Sequence, residues 1–164
     1  MKRVFWLLTL IVMLSLAQGV AADDTAKPSR GTKDQVVALV KKAVEYFKAN
    51  GSEKAFAAFN DRHGMFIDRD LYIHAYDPNG TCMAHGFINK LVGMNRMDEQ
   101  DATGRYYIQE RMALMKTHTS FWQDYMFSDP ISHKLQSKST YCETTPDPVL
   151  KKVLICAGVY NVTE

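Results

Sequence analysis

Apolar and polar positions recur with two different periods along the chain, and these periods predict its helices and strands. In residues 34–50 the apolar positions repeat every three to four residues, which is typical of a helix with one buried stripe. Gly51 is expected to end that helix, because glycine readily adopts the left-handed conformation that follows a helix. Ser52 can then cap a second, shorter helix over residues 52–60.

Shorter apolar segments predict a sheet of five strands. They cover residues 71–76, 81–84, 121–127, 134–143 and 153–160. The last segment is almost wholly apolar, so we expect it at the centre of the sheet. A third helix, capped by Asp101 or Thr103 and ending at His118, is predicted between the second and third strands. Because short turns join most of the strands, they pair antiparallel, and the order of elements predicts an α+β domain with its helices packed on the sheet.

The first two strands form a predicted hairpin whose two faces differ in character. Residues 77–80 read Asp-Pro-Asn-Gly and supply a tight turn. Side chains alternate along a strand, so one face carries apolar groups, Leu71, Ile73 and Ala75. The other face carries polar rings, Tyr72, His74 and Tyr76. The first face is typical of a core, and the second suits either a pocket or a surface with polar tips.

The first 22 residues predict a secretory signal peptide. Lys2 and Arg3 precede an apolar stretch over residues 4–16, and small residues lead to a cleavage site after Ala22. An uncleaved membrane anchor is the alternative, although the apolar stretch is shorter than the about 20 residues of a membrane span. Residues 23–33 are polar and predict a flexible lead-in, and residues 34–164 are long enough for a single domain. The sequence therefore predicts a periplasmic or secreted protein.

The charge balance argues against two classes of partner. The chain has 20 basic and 18 acidic residues, and Lys2 and Arg3 leave with the signal peptide, so 18 basic residues face 18 acidic ones. A formally neutral protein gives no indication of affinity for nucleic acid or for an anionic membrane surface.

If two of the three cysteines form a disulfide, the third remains a free thiol. Cys142 and Cys156 lie in neighbouring predicted strands, and export permits a disulfide between them. Three free buried thiols, including Cys82, are the alternative. The cysteines lack the spacing of a thioredoxin-type redox motif or a haem attachment site.

The sequence predicts neither catalysis nor a bound cofactor. Its five histidines show none of the short spacings of a zinc site, so no metal ligand set is predicted. The serine and cysteine contexts lack known nucleophile motifs, and the glycines form no phosphate-binding loop. We therefore expect a binding or interaction protein rather than an enzyme.

Several short segments together resemble a known family. They are residues 43–51 (AVEYFKANG), 55–60 (AFAAFN), 70–72 (DLY), 91–95 (LVGMN), 101–104 (DATG), 138–141 (KSTY) and 157–160 (AGVY). Their order and spacing resemble the single Cache domain, an extracytoplasmic sensor fold related in shape to PAS domains, over residues 36–160. The resemblance implies a five-stranded antiparallel sheet with a long N-terminal helix on one face and a small-molecule pocket on the other.

The resemblance also implies where a ligand would bind. Lys138 lies in a strand whose family counterpart lines the pocket, and an ammonium group is a good anchor for a short organic carboxylate. A solvated lysine on an edge strand is the alternative. Aromatic and imidazole rings supply the other candidates, Tyr72, His85, Trp122, Tyr125 and Tyr141, each of which could instead be ordinary core. Arg111 is a second cation to consider, although its helical position also suits an exposed residue or an ion pair.

The expected function follows from the family. Single Cache domains usually form the outer part of chemoreceptors and sensor kinases. This sequence ends at Glu164, directly after the last predicted strand, so we expect the domain to pass ligand occupancy to a partner. A membrane sensor kinase, a chemoreceptor or a transporter would fit that role. The alternative is an interaction module that docks to a membrane sensor or forms a homodimer without binding a ligand.

Overall fold

The computed structural model describes residues 30–161. Its elements in chain order are α1 (Lys33–Asn60), β1 (Ile67–Asp68), β2 (Leu71–Tyr72), β3 (His74–Tyr76), β4 (Cys82–His85), a 3-10 turn (Asn89–Leu91), α2 (Tyr107–Thr117), β5 (Ser120–Ser128), β6 (Leu135–Asp147) and β7 (Lys151–Tyr160). Within the described residues, no helix has the length and apolarity to cross a membrane. The predicted signal peptide lies outside the described residues, as does most of the predicted lead-in.

Five strands form one antiparallel sheet in the order β4-β3-β7-β6-β5. β7 lies at its centre, paired with β3 on one side and β6 on the other, and its residues from Val153 to Tyr160 are all buried. The central position predicted for the last strand is confirmed, as are the α+β class, the five antiparallel strands and the helix on one face. β1 and β2 form a separate two-stranded sheet.

Helix α1 covers one face of the five-stranded sheet. A capping box of Thr32 and Gln35 starts it, with each side chain accepting from the backbone N–H of the other residue. Gly51 interrupts the helix with a φ of 79°, so its two parts correspond to the two predicted helices. The buried stripe of α1, which includes Val40 and Phe47, packs on the apolar face of the hairpin and on alternate residues of β7.

Helix α2 covers the opposite face and starts later than predicted. It begins at Tyr107, and the preceding residue makes no side-chain cap. Asp101 was expected to cap it but accepts instead from the backbone amides of Thr103, Arg105 and Met126, which fixes the loop before the helix to strand β5. The carboxylate is therefore occupied by the loop's own amides and is not available to the helix.

The strand boundaries differ from prediction at two places. The predicted strand over residues 71–76 is divided at Ile73, because Tyr72 pairs with β1 whereas His74 pairs with β4 and β7. β6 continues past the predicted end at residue 143 through Pro146 to Asp147, since its pairing with β7 extends to the end of the hairpin.

One disulfide and two ion pairs link separate parts of the chain. A disulfide joins Cys142 to Cys156, which are directly opposed on β6 and β7, whereas Cys82 is a buried free thiol. Arg30 forms ion pairs with Asp70 and Asp129. Burial raises the pKa of Asp129, but hydrogen bonds from Arg30 and neighbouring groups outweigh that effect and hold its pKa below the usual range. Arg30, which falls in the predicted flexible lead-in, is thereby fixed to the domain.

Candidate functional site

A glycine at the centre of the sheet makes room for the longest side chain of the α2 face. A Cβ at Gly158 would lie 2.8 Å from Cε of Lys138 and 2.5 Å from Oγ1 of Thr140. The Lys138 side chain therefore passes over Gly158, from β6 across β7, and its Nζ donates to the Tyr72 hydroxyl at 2.7 Å. This arrangement brings two predicted site residues, Lys138 and Tyr72, into contact.

Lys138 is a fully buried cation. None of its surface is exposed, and its Nζ lies 3.9 Å from the ring centroid of Tyr72 and 4.8 Å from that of Tyr160. Among the described residues no carboxylate forms an ion pair with it. Burial is the largest influence on the pKa of Lys138 and lowers it to about 8; Tyr125 opposes this shift, and the charge of Arg111 adds to it. The solvated edge lysine considered above is therefore wrong, because β6 is an internal strand and the side chain is shielded from water.

Arg111 is a second buried cation, placed over the sheet by helix α2. It has no exposed surface, and its Cζ lies 4.8 Å from the ring centroid of Tyr125, 5.5 Å from Tyr76 and 5.6 Å from Tyr107. Its Nε donates to Oε1 of Gln123 at 2.9 Å, whereas Nη1 and Nη2 have no hydrogen-bond partner within the described part of the chain. The interpretations of Arg111 as exposed or ion-paired are both wrong.

Tyr125 lies between the two cations. Its backbone is paired with that of Lys138 across β5 and β6, and its ring carries the Arg111 guanidinium on one face. Burial raises the pKa of this phenol, but the charges of Lys138 and Arg111 and a contact with Thr140 outweigh burial, so the net pKa of Tyr125 is lowered. A phenol stabilised in its ionised form marks a position where negative charge is favoured.

His85 belongs to the same cluster but is already bonded. Its ring lies 5.1 Å from Tyr72 and 5.9 Å from Phe127 between centroids. The Nδ1 atom accepts from the backbone amides of Phe87 and Ile88, at 3.3 and 2.9 Å, so this imidazole fixes the loop after β4. Burial, followed by Lys138, lowers its pKa well below the usual value.

Trp122 and Tyr141 do not join the other predicted site residues. Their rings are in contact with each other at 5.3 Å, on the face of the sheet that α1 covers, and Trp122 is 39% exposed with Lys33 over its ring. They are offset by one residue from Gln123 and Thr140 on the same strands, and alternate residues of a strand face opposite sides. The structure therefore brings together four of the six predicted residues, Tyr72, His85, Tyr125 and Lys138.

The sequence interpretation missed several residues of the site. Arg111 was weighed only as a secondary candidate, yet it shares the buried stripe of Ile108 and Met112 at helical spacing, and a charge on such a stripe is a usable signal. Thr140 lies two residues after Lys138 and so on the same strand face. Nothing in the sequence pointed to Arg96, since it lies in an irregular loop.

Unpartnered polar atoms concentrate on this side of the sheet. Among the described residues, the buried side-chain atoms that lack a partner are Nδ1 and Nε2 of His74, Nη1 of Arg96, Nη1 and Nη2 of Arg111, and the hydroxyls of Thr140 and Thr145. All but the Thr145 hydroxyl belong to side chains on or over the α2 face. A buried polar group left without a partner destabilises a protein by about 1–3 kcal/mol. Their clustering indicates a site that an additional polar group would complete.

A surface cleft adjoins the buried cations. It has a volume of about 350 Å³, and its walls include Arg96, Glu99, Tyr107 and Phe127. Arg96 is ion-paired with Glu99 and donates to the Tyr107 hydroxyl at 2.8 Å. Phe127 lines the cleft and also lies beside Lys138, whose Nζ is 5.6 Å from the phenyl centroid.

The donor set suits an anion better than a metal. The described residues contain no group of three or more histidine, cysteine, aspartate or glutamate side chains that could hold a metal ion. The unpartnered atoms of Arg111 and Lys138's ammonium group are hydrogen-bond donors on cations, which bind carboxylates and other oxyanions.

Comparison with known proteins agrees with this architecture. Three solved structures share the fold: a methyl-accepting chemotaxis protein from Vibrio parahaemolyticus (TM-score 0.64, 23% identity, 78% of this chain and 87% of that one), a Cache chemosensory domain described for carboxylic acid recognition (0.63, 18%, 79% and 92%) and a periplasmic sensor domain of a chemotaxis protein (0.61, 18%, 79% and 90%). No curated protein matches the sequence. The pattern of the single Cache domain 2 family matches residues 20–148. The chain therefore belongs to the single Cache domain 2 family.

Proposed function

We propose that this domain binds a small organic anion, a short carboxylate, between Arg111 and Lys138. The observation that carries the proposal is the burial of these two cations without a carboxylate partner among the described residues. An unpaired buried charge destabilises a protein by several kcal/mol unless an opposite charge compensates it. A bound carboxylate would supply that charge.

The shape of the donor set supports a carboxylate in particular. Nη1 and Nη2 of Arg111 form a planar pair of free donors, which matches the two oxygens of a carboxylate. The ammonium of Lys138 adds a third donor, and the Thr140 hydroxyl lies on the same strand face beside the Tyr125 phenol. Aromatic rings of Tyr72, Tyr76 and Tyr125 enclose the cations, so the remainder of the ligand would be small and largely apolar.

The comparisons support the same ligand class. One structural neighbour is a Cache chemosensory domain described for carboxylic acid recognition, and it covers most of this chain at 18% identity. Two further neighbours are parts of chemotaxis proteins. We therefore infer that the domain passes ligand occupancy to a membrane partner, either a chemoreceptor, a sensor kinase or a transporter.

An interaction module is the second candidate, and one feature favours it. Lys138 is closed off from solvent and its Nζ already donates to the Tyr72 hydroxyl. If the tyrosine hydroxyls are sufficient partners for the cations, the domain would act by docking or as a homodimer. The free Nη atoms of Arg111 weigh against this alternative.

Thermal melting in the presence of short acids tests the proposal. Residues 23–164 would be melted with acetate, propionate, pyruvate or lactate. An acid at a hundred times its dissociation constant should stabilise the fold by about 2.7 kcal/mol. Lys138→Met should abolish the shift in melting temperature, whereas Lys33→Met, which removes a cation from the opposite face, should retain it. If no acid shifts the melt, or if Lys138→Met leaves the shift intact, the proposed site is wrong.

A further inference from the structure

One buried histidine lies between the two cations and has no role in the site so far. The His74 ring is 6.1 Å from that of Tyr72 and 5.7 Å from that of Tyr76, between centroids. Tyr72 in turn contacts the Lys138 ammonium, and Tyr76 contacts the Arg111 guanidinium. Along this face of the hairpin, His74 is therefore flanked by the ring that holds each cation.

The imidazole of His74 is buried without a hydrogen bond. Only 1% of the residue is exposed, and neither Nδ1 nor Nε2 has a partner among the residues that the structure describes. A neutral imidazole offers one donor and one acceptor, and an imidazolium offers two donors. Packing alone does not explain this residue, because a phenylalanine would fill the same stack of rings without leaving two polar atoms unsatisfied.

His85 provides a contrast within the same stack. Its ring lies 5.8 Å from that of His74, in a nearly parallel arrangement. Its Nδ1 accepts from two backbone amides, so protonation of that atom would break both bonds. His85 is thus held in one neutral tautomer, whereas both nitrogens of His74 are free to change their protonation.

We propose that binding of an acid at Arg111 and Lys138 is coupled to the uptake of a proton by His74, so that occupancy depends on pH as well as on acid concentration. This inference rests on the proposed function. The proton comes from solvent and enters the free ring nitrogen of the neutral imidazole. No covalent bond of the ligand forms or breaks, and the resulting imidazolium faces the bound carboxylate.

The charges around His74 set the direction of this coupling. Burial lowers its pKa most, and four titratable neighbours lower it further: Lys138 from β6, Arg111 from α2, His85 from β4 and Arg96 from the loop before α2. The strand β7, which pairs with β3 at His74, places Cys156 opposite it, and that residue is in the disulfide. An anion placed among these groups opposes the field of the cations and therefore raises the pKa of His74. Proton uptake on binding means that affinity for the anion increases as pH falls.

A second group in the site could also gain a proton, but in a different range. The pKa of Lys138 is about 8, lowered by burial and by Arg111, so its protonation is coupled to anion binding mainly near and above that pH. Tyr72 and Tyr76 have raised pKa values, mainly through burial, and stay neutral throughout. Tyr125 lies among the same cations, and burial raises the pKa of its phenol while Lys138 and Arg111 lower it, with a net lowering. Measurements from about pH 5.5 to 6.5 therefore isolate histidine, while the acid itself remains ionised.

Calorimetric titration measures the proton directly. Residues 23–164 would be titrated with acetate, propionate, pyruvate and lactate at about pH 6, in two buffers with different enthalpies of ionisation. The difference in apparent heat gives the number of protons taken up. We expect a value between zero and one, and an increase in affinity of up to about tenfold for each pH unit lowered.

Two variants test whether His74 is the residue that takes up the proton. His74→Gln keeps a polar side chain without a titrating ring, and it should bind the acid with no proton uptake and no pH dependence over this range. His63→Gln removes an exposed histidine and should take up the proton as the unsubstituted protein does. The NMR chemical shifts of the ring nitrogens provide a test without substitution. Binding of the organic acid should convert His74 to the doubly protonated form and leave His85 neutral.

The possible outcomes distinguish failure of the proton coupling from failure of the proposed function. Acid binding without proton uptake, or uptake that persists in His74→Gln, would overturn the coupling and leave the proposed function standing. If none of the four acids binds at any pH tested, both fail together. Conversion of His85 rather than His74 in the NMR experiment would also overturn the assignment.

Discussion

The two faces of the five-stranded sheet bury different kinds of side chain. The face under α1 is filled by aliphatic and aromatic side chains, with edge-to-face contacts such as that of Phe59 with Phe66 at 4.8 Å. The face under α2 also has a buried centre, yet that centre holds Lys138, Arg111 and His74. Strand alternation alone generates the difference, since each strand contributes to both faces.

Under the proposed function, one face stabilises the domain and the other binds the ligand. Apolar burial is favourable without any further partner, at about 25 cal/mol for each Å² removed from water. A buried cation without a counter-charge is unfavourable until an anion arrives. The buried cations of the α2 face therefore make the empty protein less stable, and a bound anion would restore that stability.

Truncation on the α1 face should have the largest effect on stability. Phe59 is fully buried, so Phe59→Ala removes apolar contacts and leaves a cavity, and unfolding should become easier by about 3–5 kcal/mol. Urea denaturation would measure the loss. The affinity for the acid should be unchanged under conditions where the variant is folded. A change in affinity as large as that in stability would contradict the independence of the two faces.

Replacement of Lys138 should increase the stability of the empty protein, whereas truncation of Phe59 should decrease it. Lys138→Met removes a buried charge and fills the same volume, so the empty protein should gain about 1–4 kcal/mol of stability while it loses the response to acid. Since the folded-state pKa is about 8 and the unfolded value is higher, the gain should be complete below about pH 8 and shrink at more alkaline pH. Lys33→Met is the control and should show neither change.

If Lys138→Met destabilises the empty protein instead, the lysine has adequate partners within the fold. That result would favour the interaction module over the ligand-binding domain.

A methyl group at the centre of the sheet should disturb the site more than the sheet. Gly158→Ala places a Cβ 2.7 Å from the carbonyl oxygen of Ser139 and 2.8 Å from Cε of Lys138. Overpacking of this kind costs about 1–3 kcal/mol, and the lysine would have to leave its path to Tyr72. We expect weaker acid binding together with modest destabilisation. Unaltered binding would show that the path of Lys138 over this glycine is unimportant.

The smallest effect should come from pH. Burial, followed by Lys138, lowers the pKa values of His74 and His85 well below the value of about 6.5 in the unfolded chain. Below that pH the unfolded state binds more protons than the folded state, so stability should fall as pH falls, by up to about 1.4 kcal/mol per pH unit for each histidine. Denaturation curves at several pH values would measure this slope, and a flat profile below pH 6.5 would contradict it.

The period of apolar residues was sufficient to predict the α1 face and the central strand. It succeeded because burial of an alternating or helical stripe is a local property that the sequence carries directly. The site was predicted only in part. Lys138 and Tyr72 were identified, but Trp122 and Tyr141 were grouped with them although strand alternation places them on the other face.

The sequence could not predict which residues far apart in the chain contact one another. Arg111 reaches the site because α2 lies across the sheet, and Lys138 reaches Tyr72 because Gly158 leaves space on the neighbouring strand. Asp101 failed as a helix cap because backbone amides from its own loop and from β5 take its oxygens. Such outcomes depend on tertiary contacts that no local pattern contains.

A crystal structure of residues 23–164 grown with the acid that most raises the melting temperature tests the central claim most directly. The account predicts the acid's carboxylate within hydrogen-bond distance of Nη1 and Nη2 of Arg111, with the Lys138 ammonium as a further donor. An acid bound elsewhere, or Arg111 with both Nη atoms bonded to protein groups and no space beside them, would contradict it.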